Sequence, residues 1–100
     1  MKTIKVINWR EVPNNYTGII EYTSGDKHWY LNGKRHRVDG PAIEFANGNK
    51  YWFLNNELHR VDGPAVDYAD GYKEYWINGK NVTKEAQEVL YGFYKLKGIL

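Results

Sequence analysis

The chain has 100 residues, 14 Lys and Arg against 12 Asp and Glu for a net charge of +2, and aromatics at 16% of its positions. That length is one domain's worth of chain, and a charge so near balance argues against a dedicated phosphate-backbone binder, which concentrates more basic residues. The absence of Cys excludes disulfides, zinc–thiolate centres and a thiol nucleophile, and it fits a reducing compartment.

At the N-terminus, "MKTIKVINWREV" has apolar residues interrupted by Lys5, Asn8 and Arg10. No run there is long enough for a signal segment or a membrane span, so the expected compartment is the cytoplasm. Asn15-Tyr16-Thr17 and Asn81-Val82-Thr83 match the glycosylation acceptor pattern, which has no use without secretion.

An internal repeat dominates the rest. Residues 25–47 and 48–70 align with 13 identities in 23 positions, among them HRVDGPA at 36–42 and again at 59–65. The register extends both ways, so 1–24 reads as a degenerate first repeat and 71–82 as a truncated last one. Asn32-Gly33 and Asn78-Gly79 favour type I′ turns, with Asn55-Asn56 in the same place between them. Asn47-Gly48, Asp70-Gly71 and Ser24-Gly25 mark a second turn. Short aromatic and β-branched runs at 27–31, 42–46, 50–54, 65–69 and 72–77 lie between these turns. The expected fold is mainly β, an antiparallel meander of 23-residue hairpin repeats in one domain.

A two-residue turn at Asn47-Gly48 would set Phe45 against Lys50, Glu44 against Tyr51, and Ile43 against Trp52. It would also set Glu74 against Asp67, a like-charge pair. One face would then carry Ile20, Ile43 and Val66, with Tyr22, Phe45, Tyr68, Trp29, Trp52, Tyr75, Leu31, Leu54 and Ile77, as the core. The other would carry Glu21, Glu44, Asp67, Ala42, Ala65 and the row Tyr30, Phe53, Trp76.

From Asn81 the period changes. Thr83 is the expected N-cap of a helix over 83–97, with Glu85 in its first turn, an apolar stripe Ala86, Val89, Leu90, Phe93 and Leu96, and Gly98 as terminator. The expected role is a lid on a sheet face that caps the array.

The 23-residue period, the aromatic–NG–basic–His pattern and the DG turn resemble MORN-type repeats. Arg-Val-Asp-Gly-Pro-Ala stands where that family usually has Gly-x-Gly after the His. This variant is similar to small proteins of tailed bacteriophages and some bacteria. The resemblance implies a β-hairpin array and a phage origin, and no catalytic residue; MORN arrays are linked with lipid or protein binding.

In HRVDGPA, Asp39 and Asp62 are turn formers before Gly-Pro, and Arg37 and Arg60 have those carboxylates as partners, so the motif reads first as a structural joint. Its functional alternative is a pair of His-Arg clusters for an anionic partner. His36 and His59 are two strands apart, ~10 Å, while ligands of one zinc each sit ~2 Å from it; no metal site is expected. Glu21, Glu44 and Asp67 at ~10 Å spacing exceed the ~6.5–9.5 Å of inverting glycosidases. Ser24 is the single Ser, and nucleotide-loop and HExxH patterns are absent. No catalysis and no cofactor are expected.

The aromatic row is core if the helix covers it, and a contact surface if the helix packs opposite. The candidate binding residues are Tyr30, Arg37, Glu44, Tyr51, Phe53, Arg60, Asp67 and Trp76. The leading expectation is a non-enzymatic module that binds and inhibits or modulates a host protein such as a defence component. A protein sequestering a nucleotide-like small ligand, and a homo-oligomer assembled through its sheet edges, are the alternatives. Nucleic acid ranks low because the acidic row is expected beside the aromatics.

Overall fold

The computed structural model describes residues 1–98. The chain is mainly β with one C-terminal helix. Strands β1 (Thr3–Val6), β2 (Gly18–Tyr22), β3 (Lys27–Leu31), β5 (Ile43–Glu44), β6 (Lys50–Tyr51), β9 (Val66–Asp67), β10 (Lys73–Ile77) and β11 (Lys80–Val82) lie side by side in that order. Short β4 (Lys34–Arg35) pairs with β3, and β7 (Phe53–Leu54) pairs with β8 (Glu57–Leu58). All these pairings are antiparallel except β1 with β2, which is parallel. Alternation of Ile4 and Val6 with polar residues suits β1 to this edge, where it covers the first repeat.

The Asn-Gly turns form as expected. Asn32-Gly33, Asn55-Asn56 and Asn78-Gly79 all have positive φ at both residues, and Leu31↔Lys34, Leu54↔Glu57 and Ile77↔Lys80 close two-residue hairpins.

The other turn corrects the expected register. Phe45 N–H bonds the Asn49 carbonyl and Gly48 N–H bonds the Phe45 carbonyl, which closes a three-residue loop with Gly48 at φ 97°. The same pair of bonds recurs at Tyr22/Asp26 and Tyr68/Tyr72. Asn47 does not adopt positive φ; its side chain instead accepts the Asn49 N–H, as Asp70 accepts that of Tyr72. Such a side-chain-closed turn followed by a left-handed glycine is the three-residue solution. Ile43 therefore pairs with Tyr51, Glu44 with Lys50, Val66 with Glu74, and Asp67 with Lys73.

One residue of slip changes which side chains share a face. Ile20, His28, Ile43, Tyr51, Val66 and Glu74 now form a row across the sheet, flanked by Tyr22, Phe45 and Tyr68 on one side and Tyr30, Phe53 and Trp76 on the other. The opposite face carries Lys5, Glu21, Lys27, Glu44, Lys50, Asp67 and Lys73 in strict alternation of sign. The expected like-charge pair is thus replaced by a charge ladder. Trp29, Trp52 and Tyr75, with Leu31, Leu54 and Ile77, lie on this charged face and not beside Ile43 as expected. Ladder pairs such as Lys73–Asp67 at 2.9 Å and Lys5–Glu21 at 3.6 Å are partly solvated; each contributes well under ~1 kcal/mol and acts mainly against slipped registers.

Ile20, Ile43 and Val66 are buried, Ile20 and Val66 fully, and each contributes ~1.5–3 kcal/mol. Val6 and Tyr16 join Ile20 in a cluster backed by Ile4, Val12, Tyr22 and Tyr30.

Helix α1 runs Lys84–Leu96, with the Thr83 hydroxyl accepting the Ala86 N–H at 3.0 Å and Gly98 ending it at φ 71°. Its expected apolar stripe is split. Ala86 and Leu90 are half-buried, but Val89, Phe93 and Leu96 face solvent. The helix docks instead through the buried Gln87, whose amide donates to the carbonyls of Arg60 and Gly63. It sits at the last repeat on the charged face, where Tyr91 shares a cleft with Tyr75.

Candidate functional site

The HRVDGPA motif is a joint in which each residue has a mechanical task. His36 N–H bonds the Trp29 carbonyl of its own repeat, whereas Arg37 N–H bonds the Phe53 carbonyl of the next. The His36 ring Nδ1 accepts the Asn55 N–H at 3.1 Å, fastening the adjacent hairpin. His59, Arg60, Trp52, Trp76 and Asn78 repeat this arrangement one unit later. The accepting Nδ1 of His59 carries no proton, and burial pushes the His59 pKa below its ordinary value. Among the described residues no cluster of three His, Cys, Asp or Glu is placed to hold a metal ion.

The arginines are likewise engaged. Arg37 lies over the Trp29 ring at 4.1 Å, bonds Asp39 at 3.0 Å, the Pro41 carbonyl at 3.2 Å and Glu44 at 3.3 Å. Arg60 lies over Trp52 at 4.1 Å and bonds Asp62 at 2.9 Å and the Pro64 carbonyl at 3.1 Å. The glycine of the motif is small for this reason: a Cβ on Gly63 would stand 2.7 Å from the Arg60 guanidinium carbon, and one on Gly40 would stand 2.8 Å from that of Arg37. We expect Arg60→Ala and Gly63→Ala each to cost about 2 kcal/mol, since both strip the guanidinium from Trp52 and Pro64. Denaturant unfolding of the double variant should then show little further loss, because one contact is removed twice; fully additive costs would refute the joint.

The eight candidate binding residues divide between two faces. Tyr30, Tyr51, Phe53 and Trp76 lie together on the face of the buried Ile and Val row. Arg37, Glu44, Arg60 and Asp67 belong to the opposite, charged face, where Arg37 bonds Glu44 and Lys73 bonds Asp67. No acidic row flanks the aromatics, so that ground for ranking nucleic acid low is withdrawn.

The aromatic face is continuous. Ring pairs run Tyr22–His28 at 5.1 Å, His28–Phe45 at 6.2 Å, Phe45–Tyr51 at 5.5 Å, Tyr51–Tyr68 at 6.0 Å and Tyr68–Tyr72 at 5.7 Å. Tyr30 stacks on His28 and Phe53 stacks on Tyr51. Edge-to-face and offset contacts at these distances fix the rings against one another. Tyr22, Phe45 and Tyr68 were expected in the core; they are half-buried members of this surface. His28, Tyr51 and Glu74 occupy one column of the repeat, and they change in chemical class from copy to copy while the neighbouring Tyr30, Phe53 and Trp76 stay aromatic.

His28 and Tyr68 on this face carry no charge near neutral pH. Burial, then the nearby Arg35, lowers His28 to about 4. The hydrogen bond with Tyr51, and then burial, push Tyr68 up to about 12. Glu74 accepts the Trp76 indole N–H at 2.9 Å.

No family model matches the chain, and no curated protein or solved structure matches it. No helix among the described residues is long and apolar enough to cross a membrane.

Proposed function

We propose that this chain is a non-enzymatic binding module whose aromatic face engages a protein partner. The observation that carries this reading is the run of mutually packed rings from Tyr22 to Tyr72 on the face opposite the helix, in which Tyr22, Phe45, Tyr51 and Tyr68 are half-exposed around the buried His28. Pre-ordered Tyr, Phe and Trp side chains are what interface centres concentrate, because they bury large areas at small entropic cost. Acid–base catalysis wants a group titrating near the working pH, and His28 and Tyr68 are displaced to either side of that range. The face carries Arg35 and Glu74 as its charged groups along β4 and β10, too little positive charge to track a phosphate backbone. The resemblance to small phage proteins directs the search to bacterial host proteins, defence components among them.

Capture from bacterial lysate by the tagged chain tests this. The expected result is one enriched protein, lost with Phe53→Ala/Trp76→Ala and kept with Lys50→Ala on the charged face, all three variants melting cooperatively. Equal capture by every variant would sink the assignment of this face.

A further inference from the structure

A second site lies beside the first repeat. The segment from Trp9 to Tyr16 and the β3–β4 hairpin flank an open cleft of about 750 Å³. That volume lies within the ~300–1,000 Å³ typical of small-molecule sites. Its charged lining is Lys34 and Arg35, and no carboxylate joins them; Asn14 and Asn32 add amides. Other clefts neutralise their own charge. The one between the HRVDGPA loops holds Arg37 and Arg60 with Asp39 and Asp62, and the one under the helix holds Lys73 and Lys84 with Asp62 and Glu88.

Three observations separate this cleft from a solvated turn. Among the described residues neither Lys34 nor Arg35 makes an ion pair, and the Arg35 Nε is buried with no hydrogen-bond partner. The hairpin does not need the basic pair, because Glu57-Leu58 stands at the same place in the next repeat and closes the same two-residue turn. Trp9, at the cleft, is 70% exposed, with the Arg10 guanidinium 5.5 Å from its ring centre on one side.

We propose that this cleft binds a small phosphorylated ligand bearing a planar ring, a nucleoside monophosphate in class. The phosphate meets the Arg35 guanidinium, whose forked donors match phosphate oxygens, and the exposed Lys34 ammonium, which leaves the strand on its other face, adds positive charge at the rim. The ring stacks on Trp9, and the amides of Asn14 and Asn32 meet its polar edge.

Isothermal titration at low ionic strength with AMP, adenosine, inorganic phosphate and O-phosphotyrosine tests the site on the full chain. AMP should bind more tightly than adenosine or phosphate alone. Lys34→Met and Arg35→Met should each weaken AMP about tenfold, and Trp9→Ala should bring AMP down to the level of phosphate. Lys34 and Trp9 are exposed, so those two variants decide the matter even if Arg35→Met destabilises the hairpin. Absence of AMP binding, or AMP affinity unchanged in Lys34→Met, would overturn the site. Tighter binding of O-phosphotyrosine than of AMP would overturn the nucleotide class.

Discussion

Gly18→Ala should cost about 3 kcal/mol or more and lower the Tm by roughly 15 °C for a domain of this size. Gly18 has φ 142°, a conformation that side chains rarely adopt, and the steric demand is worse than the dihedral one. A Cβ there would lie 2.5 Å from the Lys2 carbonyl oxygen and 2.7 Å from the Tyr16 hydroxyl. Those two atoms clamp the first edge of the sheet: Ile19 N–H bonds the Lys2 carbonyl at 2.8 Å, and the Tyr16 hydroxyl donates to it at 3.0 Å. Relief requires β1 to move away from β2, which opens the cluster of Val6, Tyr16 and Ile20. Thermal unfolding checks the magnitude. Hydrogen exchange should show Ile19 losing protection together with β1, and an unchanged Tm would contradict the account of this edge.

Acid should destabilise the protein through His28 by about 3 kcal/mol. Its pKa falls from 6.5 in the unfolded chain to about 4 in the fold, because burial and then Arg35 oppose its charge. The unfolded chain therefore takes up a proton first as the pH drops. The neutral-His28 contribution is complete above pH 6.5 and is lost progressively down to about pH 4. His59 shifts in the same direction and adds to the loss. His28→Tyr isolates the effect, since Tyr51 fills the equivalent place in the next repeat between Phe45 and Tyr68. The denaturant midpoint of the native protein should fall more steeply on acidification than that of the variant, which keeps more of its neutral-pH stability. Parallel pH profiles would remove His28 as the cause.

The repeat period, the left-handed Asn turns, the Thr83 cap and the mainly β class with a terminal helix were legible because each rests on local chemistry. Asn-Gly accepts two positive φ values wherever it occurs, and a threonine ahead of a helical period caps it. What failed was one residue of register at Asn47-Gly48. The same dipeptide serves a two-residue turn at 32–33 and a three-residue loop at 46–48. In the longer loop the Asn47 and Asp70 side chains accept the N–H groups of Asn49 and Tyr72, whereas Asn32 itself takes positive φ. A better sequence rule was present, since the true register pairs every acid of the 21/44/67 column with a lysine. That error alone moved Trp29, Trp52 and Tyr75 to the wrong face and set Glu44 and Asp67 beside aromatics they never meet.

The helix was misread for a different reason. Its stripe of Val89, Phe93 and Leu96 has the correct period but finds no sheet to cover, because Gln87 is drawn to two loop carbonyls. Those carbonyls belong to the last HRVDGPA loop, beyond which lies the truncated repeat 71–82. The helix thus ends the array through polar capping, as β1 begins it through parallel strand pairing.

Two chemically distinct surfaces remain for recognition. The charged face is internally neutralised, and its arginines are committed to tryptophans and loop carbonyls. The aromatic face has its ring geometry fixed, with His28 and Tyr68 uncharged near neutral pH, which suits it to contact a partner without reorganisation.

Photo-crosslinking tests the central claim most directly. A benzophenone amino acid is placed at Phe53 on the aromatic face, at Lys50 on the charged face, or at Phe93 on the open side of the helix, and each protein is irradiated in bacterial cells. The account predicts one discrete protein adduct from position 53 and none from positions 50 and 93. An adduct from position 50 or 93 with none from 53 would contradict it.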